Sequence, residues 1–294
     1  MKVIFNRSVV IDSTTPLMCA VSGKSTSNAI DGILIEAKVP DTCVLTTYDN
    51  EKGVRITIEA TVIEEGSYII NAQKFYQTIK VMNGEEITLT VDDKLTASIV
   101  CGKSSHKMIA LKGESFPAIP DLVSDRSFIL HDSVIKKMIS QITFSMGIND
   151  QRAVLNGCYF KVTDDSIMLV SCDSFKLAKV CQKTEIINKH TTTDAHVNYA
   201  LIVPAKTVNE IGKLFSDDEE SLIQVYVTRK HIVFLIGEIT FFSRLVDGDY
   251  IDFERIIIKT IRSMLRSTAV SLFPRLKEPL LSRKKELSVL SART

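Results

Sequence analysis

The chain repeats itself, and that repetition limits its fold more than any other feature. An extended segment running into an amphipathic helical segment occurs four times in 294 residues. The first is KVIFNRSVVIDSTTPLMCAV, with Val9, Val10, Leu17 and Val21 as apolar helix positions. The second is SYIINAQKFYQTIKVM, with Phe75, Ile79 and Met82. The third, SFILHDSVIKKMISQI, offers Val134, Ile135, Met138, Ile139 and Ile142, and the fourth, ALIVPAKTVNEIGKLF, offers Val208, Ile211, Leu214 and Phe215. Spacings of three and four residues line up one face of a helix. Asn71 and Asp132 are suited to cap helix starts, and Pro204 to helix entry.

Strand-like runs fill the gaps: GILIEAKV, CVLTTYD, GVRITIEATV, EITLTVDD, LTASIVC, HKMIALKG, GCYFKVTDD, SIMLVSC, LIQVYVTR, HIVFLIG and EITFFSRLVDG. Short polar turns such as Asp92-Asp93, Asp164-Asp165 and Thr228-Arg229-Lys230 join several of them. The first helical unit matches the third at an offset of about 126 residues, and the second matches the fourth at about 132. The predicted organisation is therefore a duplicated α+β domain. Residues 1–124 form the first copy and 125–255 the second, with the boundary in the polar stretch PDLVSDRS.

Charge is uneven. Residues 256–294 hold nine Lys/Arg and two Asp/Glu, which leaves 27 basic and 33 acidic groups in residues 1–255, a net of −6. An acidic body is a poor match for gripping DNA over the whole surface, but suits one attractive face on an otherwise repelling molecule. No apolar run reaches the roughly 18 residues of a membrane span, and the N-terminus lacks signal-peptide features, so a cytoplasmic protein is expected. The cysteines Cys19, Cys43, Cys101, Cys158, Cys172 and Cys181 form no C-x-x-C pair and read as buried reduced thiols.

SGKST and CGKSS look superficially like phosphate loops, yet Met18 and Ala97 stand where the first glycine would be needed. The histidines His106, His131, His190, His196 and His231 show no metal spacing, and no nucleophile–base set sits in a known motif. Neither metal, cofactor nor catalytic residue is expected.

Several strings resemble the bacterial DNA polymerase sliding clamp, the beta subunit of the polymerase III holoenzyme. They are TFSMGINDQRAVLNGCYF, SCDSFKLAKV, VPAKTVNEIGKLF, ITFFSRLVDGDYIDFERII, LTTYDNEKGVRI and GESFPAIPDL, in order over residues 1 to about 257. The resemblance implies the DNA clamp fold: duplicated domains of two β-α-β-β-β units, helices on an inner face and antiparallel sheets outside. It implies a non-catalytic processivity factor for DNA replication, a homodimer in the family, that encircles duplex DNA and binds the polymerase and clamp loader through short hydrophobic motifs.

By the same resemblance, Lys24, Gln73, Asn149, Ala153 and Val154 fall at DNA-contact positions. Ala153 and Val154 stand where some relatives carry aromatic residues. Helical Lys74, Lys80, Lys136, Lys137, Lys206 and Lys213 are further phosphate candidates, the alternative for each being a solvated helix face. A partner-peptide pocket is implied at Leu155, Cys172, Ser174, Phe175, Lys176, Leu177, Ile251, Arg255 and Ile256. Its apolar walls suit peptide anchors, while an ordinary core role for Leu155 and Leu177 is the alternative. Phe175 and Lys176 replace the family's His and Arg, and Ile251 a common Pro.

The tail departs from the family. A third domain would need roughly 120 residues, and residues 256–294 contain no Gly, Asn or Asp. The expectation is a product truncated or frame-shifted after the second domain, and the alternative function is then a clamp-fold interaction module that binds partner peptides without closing a ring. The rival is a shortened clamp whose basic tail binds DNA or a partner.

Overall fold

The computed structural model describes residues 1–21, 29–122, 124, 126–189, 196–257 and 288–291. The first repeat begins with β1 (Lys2–Asn6) and α1 (Arg7–Leu17), then β2 (Gly32–Lys38), β3 (Thr42–Tyr48), β4 (Lys52–Glu59) and β5 (Thr61–Glu64). It continues with β6 (Gly66–Asn71), α2 (Ala72–Val81), β7 (Glu86–Val91), β8 (Thr96–Cys101) and β9 (Ser104–Lys112). The second repeat opens with β10 (Ser127–His131), α3 (Asp132–Ile142), β11 (Gly157–Thr163), β12 (Ser166–Cys172), β13 (Lys176–Lys183) and β14 (Ile187–Asn188). It closes with β15 (Asn198–Pro204), α4 (Ala205–Leu214), β16 (Leu222–Val227), β17 (His231–Ile236) and β18 (Ile239–Arg244). A short helix α5 (Phe253–Ile256) follows, and one tail strand, β19 (Ser288–Ser291), is described. The first residues of α1 and α3 lie 125 apart, and those of α2 and α4 lie 133 apart, close to the offsets read from sequence.

The strands pair antiparallel in two sheets. The larger has fourteen strands and crosses from one repeat to the other where β18 pairs with β4, from Ile239 opposite Ile56 to Ser243 opposite Lys52. The smaller runs β15-β11-β12-β13-β19. Alternation sets the faces: β7 buries Ile87, Leu89 and Val91 and turns Glu86, Thr88 and Thr90 away from the core. Each helix closes its repeat with an apolar stripe, Phe75 and Ile79 on α2 and Ile135, Met138, Ile139 and Ile142 on α3, all at most 3% exposed.

Local details depart from the sequence reading in four places. Val9 is exposed and Val21 lies beyond α1 in extended backbone, so Val10, Thr14 and Leu17 form the buried stripe instead. Asn71 does cap α2, accepting from the Lys74 N–H at 2.9 Å, but Asp132 is the first residue of α3 rather than its cap. Its fully buried carboxylate instead accepts from the Ser216 N–H at 2.9 Å and the Ser221 hydroxyl at 3.2 Å, tying α3 to the end of α4. Cys181 is exposed and Cys19 half-buried, while Cys43, Cys101, Cys158 and Cys172 are buried as free thiols. Finally, KLAKVCQK, absent from the strand-like runs because its lysines break the apolar alternation, forms β13 with Leu177 and Ala178 buried.

Candidate nucleic-acid interface and peptide pocket

The basic candidates sit on the helix surfaces opposite the buried stripes. Gln73, Lys74 and Lys80 on α2, Lys137 on α3, and Lys206 and Lys213 on α4 are exposed, and Lys136 is half-buried. Lys80 and Lys213 occupy the last turns of equivalent helices, where a cation also complements the carbonyl end of the helix dipole. Lys80 lies 5.0 Å from the centroid of the Tyr76 ring. Three of the lysines carry acidic neighbours: Lys136 pairs with Asp217 at 2.8 Å, Lys213 with Glu210 at 3.0 Å and Lys206 with Glu51 at 4.0 Å. Such exposed pairs are weak and exchangeable, of order 0–1 kcal/mol, so phosphate could replace the carboxylate at little cost.

Asn149 is exposed in the left-handed region, at a φ of 56°, on the loop that leads to Ala153 and Val154. Ala153 is exposed and Val154 half-buried, its Cγ1 packed over Gly248. On the same loop, hydrogen bonds from the Arg152 backbone and guanidinium hold the Asp150 carboxyl below the usual carboxylate range. Lys24 lies outside the described residues.

The pocket candidates divide into a buried floor and an exposed rim. Leu155, Cys172 and Leu177 are at most 6% exposed and form, with Val170, an apolar cluster separate from the main core. Ile251 packs against it, as do Tyr159, Tyr250 and Phe253, none of which sequence comparison singled out. The Tyr159 and Tyr250 rings stack at 5.4 Å, and burial pushes the Tyr250 hydroxyl well above the ordinary phenol range. Leu155 and Leu177 are both buried within this cluster, as an ordinary core role requires.

Ser174, Phe175 and Lys176 form the rim on the β12–β13 turn. Ser174 adopts a φ of 76°, and Asp173 accepts from the Phe175 and Lys176 N–H groups at 3.0 and 2.7 Å. That turn leaves Phe175 76% exposed, an unusual posture for an aromatic ring. Arg255 and Ile256 are exposed on α5, with Arg255 held 2.8 Å from Asp252.

A further open groove of about 690 Å³ lies between α2 and the free half of β9, lined by Lys74, Gln77, Val81, Lys107 and Ile109. In the second repeat the equivalent helix, α4, meets the first repeat: Glu210 lies beside Cys19, and Lys206 lies 4.0 Å from Glu51. Exposed Val81 and Ile109 carried a signal, two apolar residues breaking the polar pattern of their faces, that sequence reading passed over.

Among the described residues no group of three or more His, Cys, Asp or Glu could hold a metal ion. Two repeats of strand, helix and antiparallel meander, joined edge to edge through one sheet, define the DNA-clamp class of protein. The models of the N-terminal and central domains of the DNA polymerase III beta subunit match residues 1–120 and 129–252. The beta sliding clamp of Staphylococcus epidermidis is 28% identical over 264 residues, covering 87% of this chain and 67% of the relative. The Staphylococcus aureus beta sliding clamp is 27% identical over the same shares. Among solved structures, a putative beta subunit from Eubacterium rectale aligns at a TM-score of 0.80 and 25% identity, over 87% of this chain and 67% of that one. The Bacillus subtilis sliding clamp aligns at 0.80 and 24%, over 88% and 68%. The chain belongs to the DNA polymerase III beta subunit family and spans two thirds of the length of these relatives.

Proposed function

We propose that this chain acts as a replication processivity factor, the part of a sliding clamp that faces duplex DNA and tethers the replicative polymerase and clamp loader. The observation that carries the reading is the recurrence of an exposed basic group at one equivalent helix position in both repeats, Lys80 on α2 and Lys213 on α4. Helix surfaces offering ammonium groups and an amide such as Gln73 can bind phosphates without selecting a base sequence, which is what sliding requires. Lys24, Asn149, Ala153 and Val154 complete the DNA-facing set. Leu155, Cys172, Leu177 and Ile251 form the floor of the partner-peptide pocket, with Ser174, Phe175, Lys176, Arg255 and Ile256 at its rim.

The reading assigns residues 1–124 and 125–255 to the two clamp domains and residues 256–294 to a separate tail. It assigns no reaction to the chain, makes the cytoplasm its place of action, and agrees with described helices that are all too short to cross a membrane. The test is retention on DNA: protein loaded on nicked circular plasmid is expected to stay bound through a high-salt wash and to be lost when the plasmid is linearised. Equal loss from both forms would refute encirclement by this chain. It would then favour the second reading, a clamp-fold module that binds partner peptides without closing a ring.

A further inference from the structure

The edge of β13 carries a strand in the same way that β4 does, and the match extends to register and residue pattern. In the first repeat β3 and β4 pair Tyr48 with Gly53, and in the second β12 and β13 pair Cys172 with Leu177. Lys52, Gly53, Val54 and Arg55 therefore correspond to Lys176, Leu177, Ala178 and Lys179. Upon the first set β18 lays Ser243, Phe242, Phe241 and Thr240, antiparallel. Upon the second set β19 lays Ser291, Leu290, Val289 and Ser288, also antiparallel and in the same register. One strand reads Thr-Phe-Phe-Ser and the other Ser-Val-Leu-Ser.

We infer that the outer edge of Lys176–Lys179 is a binding site for an extended peptide of the pattern hydroxyl–apolar–apolar–hydroxyl, and that the chain's own tail strand fills it. An open edge presents unpaired N–H and C=O groups, and adding a strand satisfies them while the alternating side chains supply selectivity. At the internal junction that selectivity is visible: Phe241 and Phe242 are both fully buried, and Ser243 donates to or accepts from Thr207 at 2.7 Å. A second copy is the other candidate occupant, through β9, the counterpart of β18. Their hairpins turn at Gly102 and Gly237, each with a φ of 56°. In β9, however, the positions of Phe241 and Phe242 are held by His106 and Lys107, and charged side chains on an edge disfavour pairing. The tail has the apolar pair and β9 does not, so the tail is the better occupant.

The site also adjoins the candidate pocket, since Leu177 belongs to its floor and Lys176 to its rim. A strand seated there runs beside Lys176 and Leu177.

The experiment compares the full chain with V289P/L290P, which removes two backbone donors from the tail strand. Amide hydrogen exchange at the edge-facing residues of Lys176–Lys179 is expected to accelerate at least about tenfold in the variant, with Lys52–Ile56 unchanged. A labelled peptide of sequence ELSVLSA is expected to bind the variant at least about tenfold more tightly than the full chain, whose edge is occupied. A second variant, V289K/L290K, keeps every backbone donor and is expected to show the same gain in peptide binding if the first variant fails to fold. Unchanged exchange together with equal peptide binding in all three proteins would overturn the inference. Concentration-dependent association of a variant that ignores the peptide would overturn it too, and would give the edge to a second copy.

Discussion

The junction between repeats is testable through one contact. Phe242 lies directly opposite Gly53 across the β18–β4 ladder, is fully buried, and meets the Tyr48 ring at 5.5 Å. A Cβ placed on Gly53 would come within 2.2 Å of Phe242 Cζ and within 2.8 Å of both Cε atoms. Glycine is required there by the ring, since its backbone is ordinary strand. Gly53→Ala should therefore overpack the junction by about 1–3 kcal/mol. Against that stands a gain of about 0.5–1 kcal/mol for replacing glycine inside a strand. The net expectation is a loss within about 0–2.5 kcal/mol, centred near about 1 kcal/mol, or roughly 2–4 °C in thermal midpoint by circular dichroism. Phe242→Ala alone should cost about 3–5 kcal/mol through the cavity it leaves. In that background Gly53→Ala meets no ring and should stabilise by about 0.5–1 kcal/mol. The sign change is the signature of direct contact in a double-mutant cycle. If Gly53→Ala lowered the midpoint equally in both backgrounds, the steric reading of the junction would be wrong.

Other expectations follow from the same geometry. Asn71→Ala should destabilise by about 1 kcal/mol through the lost cap at Lys74, measured by urea unfolding. Asp132→Ala should cost more, about 1–3 kcal/mol, because it strands the Ser216 N–H and the Ser221 hydroxyl. Burial, then Glu210, pushes the Cys19 thiol up to about 11, and burial pushes Cys43 up to about 12, against an ordinary value of 9.0. Their protonated forms support the fold fully below about pH 9, and that support is lost as pH rises through 11 to 12, so both thiols should contribute to alkaline unfolding. The check is sharper in the variants: Cys43→Ala should flatten the fall in midpoint between pH 9 and 12, and an unchanged fall would exclude the thiol as its source. Lys80→Ala should weaken duplex binding regardless of sequence and reduce the salt slope of log K by about 0.9, whereas an unchanged slope would place Lys80 on a merely solvated face.

Local pattern made much of this fold readable. Periodicity located all four long helices, and the two repeat offsets emerged within a residue or so of the structural ones. What sequence did not disclose depends on distant partners. Asp132 looked like a cap because it is an acid at a helix start, but the chain reaches it from Ser216 and Ser221, more than eighty residues away. The β18–β4 pairing joins segments whose local sequences say nothing about each other. At the candidate site, resemblance picked out Leu155, Cys172, Leu177 and Ile251, which the fold gathers into one cluster, yet missed Tyr250 and Phe253, which cover it. Aromatic residues after the last strand look like loop content until their packing is seen. The tail was legible only as a change of composition, and its strand register on β13 emerges only beside the β18–β4 pairing.

The sheet that crosses between repeats has a mechanical consequence. Five successive residue pairs lock β18 to β4, with buried Phe241 and Phe242 beneath them, so the two repeats cannot swivel without shearing a whole ladder. Among the described residues, that seam stiffens the join between the repeats. Any assembly made from the chain would inherit the angle built into that seam.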